Sequence, residues 1–127
     1  MFTHMMVGTN DVARARGFYD AALGALGIGA GFDAGTRVYY RSAQGAFGVG
    51  LPADGAPASA ANGGTIGFAA PDKAAVDAFH AAGLAQGGTC EGAPGKRANA
   101  PGNAYGAYLR DPDGNKICAF CQLPADA

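Results

Sequence analysis

Between residues 12 and 26, the apolar side chains Val12, Ala15, Tyr19, Ala22, Leu23 and Leu26 recur at helical spacing, while Arg14, Arg16 and Asp20 fall off that stripe. The pattern predicts an amphipathic helix with one buried face. Asn10 or Asp11 offers a side-chain oxygen to the free N–H groups of its first turn, and Gly24 and Gly27 end it. A second stripe, Ala75, Val76, Phe79 and Ala82, follows the helix start Pro71-Asp72 and stops at Gly87-Gly88. Short runs rich in apolar and β-branched residues surround both helices. Residues 2–8 and 65–69 precede them, and 28–32, 37–41, 46–51, 89–91, 105–110 and 116–122 follow as strand candidates.

The two halves of this pattern coincide at one offset. His4 falls opposite Thr65 (65 − 4 = 61), Asp11 opposite Asp72 (72 − 11 = 61), Phe18 opposite Phe79 (79 − 18 = 61) and Gly27 opposite Gly88 (88 − 27 = 61). Such a repeat predicts two copies of one supersecondary unit, here βαβββ twice, and an α+β fold. The modules are 1–55 and 64–123, with 56–63 between them in a single domain. The small, polar, Pro-containing stretch 52–63, PADGAPASAANG, reads as the connection. Two copies sharing a sheet can enclose a cavity. The Gly/Pro-rich stretch 92–103, GAPGKRANAPGN, is too long for a tight turn and suits a binding loop or cover.

Composition narrows the partners. The 127 residues are 49% hydrophobic, enough for one domain with a real core. Net charge is −1 with 15% charged residues and no basic stripe, which argues against nucleic acid and anionic membranes. No apolar run approaches the roughly 20 residues of a membrane span. Met1-Phe2-Thr3-His4 has no basic n-region, so no secretory signal is expected. Three cysteines, an odd number without framework spacing, fit a reduced cytoplasmic protein.

Several motifs have bland readings. Asp111-Pro112-Asp113-Gly114-Asn115 looks like a calcium loop, but the sixth and twelfth positions from Asp111 are Lys116 and Gln122. A hairpin turn fits better. Gly24, Gly27, Gly29 and Gly31 follow a helix and enter a strand, the reverse of a dinucleotide loop. Cys118 and Cys121 lie in a strand candidate and point to opposite faces, so they read as two small buried hydrophobes. His4, alone in an apolar strand, reads as a structural histidine sooner than as a ligand, and His80 flanks a buried helix face.

The helix opening NDVARARGFYDAALGALG, the ending YLRDPDGNKICAF and the repeat together resemble the vicinal oxygen chelate superfamily, the glyoxalase, bleomycin-resistance and extradiol-dioxygenase group. The resemblance implies a curled, mainly antiparallel eight-stranded sheet around a cavity, with the helices outside. It also implies a divalent ion held by side chains from the first and last strands of each module, acting on vicinal oxygens as a Lewis acid. His4 matches the first ligand. Residues 46–51, AFGVGL, offer no donor where the second belongs, Thr65 replaces the third, and Cys118 replaces the fourth. A hard ion needs several oxygen ligands, so the expectation is no metal and no cofactor.

Strand parity then gives an expected pocket. If His4 and Cys118 face inward, Met6, Thr65, Gly67, Tyr108 and Phe120 share their face, with Phe47 and Val49 on the opposing wall. Ile66, Phe68 and Ile117 would pack beneath the helices, and Tyr39, Tyr40 and Arg41 lie near the mouth or wall. The expected function is binding of a small organic ligand by a homodimer of the glyoxalase/bleomycin-resistance type. The alternative is a glyoxalase-like lyase, isomerase or dioxygenase with an altered metal site.

Overall fold

Two aspartates start the two helices. The carboxylate of Asp11 accepts the Arg14 N–H at 3.0 Å, and that of Asp72 accepts the Ala75 N–H at 2.8 Å. The computed structural model describes residues 1–125. In it helix α1 spans Val12–Gly24 and α2 spans Lys73–Ala85, so both ends repeat the offset (73 − 12 = 61; 85 − 24 = 61). The strands are β1 (His4–Gly8), β2 (Phe32–Asp33), β3 (Arg37–Ser42), β4 (Gly45–Gly50), β5 (Ile66–Ala69), β6 (Thr89–Lys96), β7 (Ala104–Arg110) and β8 (Lys116–Gln122). This is the α+β, two-module βαβββ fold. Among the described residues no helix is long and apolar enough to cross a membrane.

The strands form two separate four-stranded sheets, ordered β1-β4-β3-β2 and β5-β8-β7-β6. β1 runs parallel to β4 and β5 to β8, while the other pairs are antiparallel. The eight strands are therefore two open, mixed sheets rather than one continuous sheet. The reason lies in how the modules meet. β1 and β5 each end a sheet, and the modules join through side chains instead of a ladder. The Phe47 and Phe68 rings meet edge-on at 5.1 Å, and one core cluster takes Phe18, Tyr19, Leu23, Phe47, Phe79, Leu109 and Ile117 from both halves. Ile66 and Phe68 pack against that cluster, as their parity requires.

Two strand expectations shift. Only Phe32 and Asp33 of the 28–33 region pair with β3. Just before them, the Gly31 N–H donates to Asp20 and its carbonyl accepts from Arg16, both at 2.9 Å. Helix side chains thus take the backbone groups that a ladder would use. Conversely, β6 runs on to Lys96, into the expected loop, with register shifts between Cys90 and Gly92 and between Gly92 and Gly95. An edge strand tolerates Pro94 and such bulges, which leaves 97–103 as the connecting loop.

The Asp-Pro-Asp-Gly-Asn turn between β7 and β8 locks the modules together. Asp111 is only 3% exposed. One carboxylate oxygen accepts the Asp113 and Asn115 N–H groups, both at 2.9 Å. The other accepts the Tyr19 hydroxyl at 2.6 Å and the Asn115 amide at 2.9 Å. The Asn115 amide also donates to the Gly8 carbonyl at 2.9 Å. Asp113 accepts the Thr9 hydroxyl at 2.5 Å, the Asn10 N–H at 3.0 Å and Arg14 at 3.1 Å. Gly114 supplies the positive φ, +90°, that the turn needs.

Candidate functional site

Strand alternation gives each sheet a core face and an open face. In module one the register places Met6 opposite Gly48 opposite Tyr39, and Gly8 opposite Gly50 opposite Arg37. His4, Met6, Arg37, Tyr39 and Arg41 therefore share the open face. The glycines of β4 make room for them. A Cβ on Gly48 would lie 2.3 Å from Met6 Sδ and 3.0 Å from Tyr39 Cδ1, and one on Gly50 would lie 2.4 Å from Arg37 Cγ. The result is a cleft of about 520 Å³ bounded by His4, Met6, Arg37, Tyr39 and the connecting segment around Pro52 and Pro57. His4 is exposed at its rim, with Nδ1 2.9 Å from the Thr3 hydroxyl.

The open face of module two is aromatic and basic. Tyr108 meets Phe120 edge-on at 5.6 Å. Lys116 Nζ lies 5.1 Å from the centre of the Tyr108 ring and Arg97 Cζ 5.7 Å from it. Arg110 pairs with Glu91 at 2.8 Å, and that pairing holds the Glu91 carboxyl below its ordinary pKa. Cys118 lies opposite Tyr108 and is 5% exposed; burial pushes its thiol up to about 11.

The expected pocket residues do not all meet in one chain. His4 and Met6 line the module-one cleft, whereas Tyr108, Cys118 and Phe120 sit on module two and do not border it. Thr65 is exposed just before β5. Phe47 and Val49, expected on the cavity wall, lie on the core face, 5% and 0% exposed. The parallel pairing explains the change: it sets Gly48, not Phe47 or Val49, beside Met6. Phe47 instead borders a second cleft, of about 600 Å³ between β1 and β5, which His4 and Arg41 share with Ile66, Gly67 and Phe68 of module two. Sequence reasoning also left out Arg37, Gly48, Gly50, Arg97 and Lys116. The alternation of small and bulky residues in Gly45–Gly50, GAFGVG, was a usable signal for the β4 faces. Away from these faces, His80 packs with its Nε2 3.2 Å from Cys90 Sγ, and burial lowers its pKa.

The donor set does not fit a divalent ion. The register that pairs Gly67 with Cys118 pairs Met6 with Gly48, so the module-one counterpart of Cys118 has no side chain (67 − 6 = 61). Thr65 offers only a hydroxyl, and Cys118 a single buried thiol. Among the described residues no three of His, Cys, Asp and Glu come together as a metal group.

The model of the Glyoxalase/Bleomycin resistance protein/Dioxygenase superfamily matches residues 2–119. A glyoxalase/bleomycin resistance protein from Albidiferax ferrireducens T118 is 57% identical over 94% of this chain and 98% of that chain, with a TM-score of 0.91. A glyoxalase/bleomycin resistance protein/dioxygenase family enzyme from Burkholderia phytofirmans PsJN is 19% identical, covering 95% and 98%, with a TM-score of 0.73. A lactoylglutathione lyase from Agrobacterium tumefaciens is 21% identical, covering 94% and 92%, with a TM-score of 0.64. The last two likenesses are of fold alone. No curated protein matches the chain.

Proposed function

Because the chain belongs to the glyoxalase/bleomycin resistance protein/dioxygenase superfamily, we propose that it uses the family's cleft to bind a small organic ligand without a conventional divalent-metal site. The observation that carries this reading is the pair of positions Gly48 and Cys118. One has no donor and the other offers a single buried thiol, yet the wall between His4 and Arg37 keeps polar and aromatic groups. Such a wall orients a ligand through a few hydrogen bonds and holds it by apolar burial. Residues 1–127 act as one domain in a reduced, cytoplasmic setting, consistent with three free thiols.

A homodimer completes the reading. β1 and β5 are sheet edges, and Phe2, Met5 and Met6, on or just before β1, are 65%, 38% and 39% exposed. A second copy would cover these apolar groups and bring the open face of one module opposite that of another. His4 and Met6 would then share a pocket with Tyr108, Cys118 and Phe120, with Thr65 at its edge. Sedimentation should give a dimer whose ligand-dependent stabilisation survives exhaustive chelation. If added divalent metal gave turnover of a glutathione hemithioacetal or a catechol, and chelator stopped it, the lyase, isomerase or dioxygenase reading would replace this one.

A further inference from the structure

We infer that the module-one cleft takes a small organic anion, a carboxylate or phosphate carried on a flat apolar body; this rests on the binding reading above and names its ligand class. Away from the open faces the cations are engaged: Arg14 pairs with Asp113, Arg16 with Asp20 and Asp33, and Lys73 lies over the Tyr105 ring. On the open faces stand Arg37, Arg41, Arg97, Arg110 and Lys116, and of these Arg110 alone has a carboxylate partner, Glu91. Among the described residues, Arg37 and Arg41 form neither an ion pair nor a side-chain hydrogen bond. In a chain with net charge −1, two guanidinium groups on the open face of module one thus stand without a carboxylate partner among the described residues.

Most of the acids lie elsewhere. Asp11 and Asp72 cap helices, Asp111 and Asp113 hold the turn, Asp20 takes the Tyr40 hydroxyl, and Asp77 takes that of Tyr105. Asp54 is the carboxylate bordering the cleft, and one of its oxygens accepts the Ala56 N–H at 2.9 Å. Arg37 therefore borders a concave, partly apolar site without an ion pair of its own, Asp54 standing elsewhere on the rim, and a guanidinium so placed attracts an anion more strongly than one on a flat surface.

The neighbours of Arg37 define the rest of the ligand. Tyr39 is two residues along the same face, and the Met6 thioether lies over Gly48 beside it. A planar carboxylate or a phosphate matches the fork of a guanidinium through two charge-assisted hydrogen bonds. The Tyr39 ring and flexible Met6 chain then cover a flat apolar body. A cleft of about 520 Å³ admits a ligand of this kind and not a polymer.

The test uses the full chain and four matched probes: benzoate, phenyl phosphate, benzamide and benzylamine, with affinity read by calorimetry or NMR. At least one anion should bind about tenfold or more tighter than benzamide, and benzylamine most weakly. Which anion leads tells carboxylate from phosphate. Arg37→Gln should erase the anion preference at unchanged melting temperature, and Arg37→Lys should keep part of it. If benzamide matches both anions, or Arg37→Gln binds them unchanged, the charge inference is overturned and the binding reading stands. If no probe binds, both fall.

Discussion

Two regions of this chain are rich in polar side chains, and they treat them oppositely. In the turn at Asp111–Asn115 both carboxylates and the Asn115 amide are hydrogen-bonded, and the site ties β1, α1 and the β7–β8 hairpin together. On the open face of module one, Arg37 and Arg41 have no partner among the described residues, and His4 has only its chain neighbour Thr3. The difference teaches which polarity is architectural. The acidic turn that resembles an ion loop is a clasp, whereas the chemistry left for a ligand sits where hydrogen-bonding capacity is open.

The sharpest way to break this contrast is to exchange the damage. Asp111→Ala leaves the buried Tyr19 hydroxyl and Asn115 amide unsatisfied, and should cost about 3 kcal/mol or more in urea unfolding. Arg37→Ala, on the open side, should cost about 0.5 kcal/mol or less. Equal losses would erase the distinction.

Alkaline titration probes the same contrast with a defined sign. Burial first, then Asp111, raises the Tyr19 phenol well above its ordinary value, and burial raises Cys118 to about 11. Both groups hold protons more tightly folded than unfolded. Their stabilisation is complete below about pH 9 and declines as pH rises toward the folded values. Unfolding midpoints measured from pH 8 to 11 should therefore fall. On the acid side, buried His80 has a lowered pKa, so its contribution fades as pH drops below its ordinary 6.5. A midpoint that rises between pH 9 and 11 would contradict the assignment.

A smaller effect separates the thiols. Cys90 is exposed beside His80, whereas Cys118 and Cys121 are buried with raised pKa values. At neutral pH Ellman's reagent should label Cys90 about 100-fold faster than Cys118, because Cys90 is exposed whereas Cys118 is buried and its thiol is pushed up to about 11. Mass mapping of the labelled peptide checks this, and early labelling of Cys118 would mean that the Tyr108–Phe120 face opens readily.

Much of this architecture was legible because its signals are local. The Asp11 and Asp72 caps and the apolar stripes fixed both helices, and the repeat offset holds at both helix ends. What escaped depends on distant partners. Residues 28–31 look like a strand until Arg16 and Asp20 claim Gly31. β6 looks like a loop because glycine and proline are tolerated at a sheet edge. The faces of β4 needed its register with β1, which put Gly48 beside Met6 and sent Phe47 and Val49 inward. The cations around Tyr108 come from β8 and from Arg97 beyond β6, so no single segment displays them.

The central claim is that the open face of module one receives a ligand without a divalent ion. It is tested most directly by NMR titration of chelator-treated, ¹⁵N-labelled protein with phenyl phosphate. The account predicts saturable amide shifts centred on His4, Met6, Arg37, Tyr39, Gly48 and Gly50, with Asp111–Asn115 unmoved. Shifts that arise only after a divalent metal is restored, or that centre on the Asp111 turn, would contradict it.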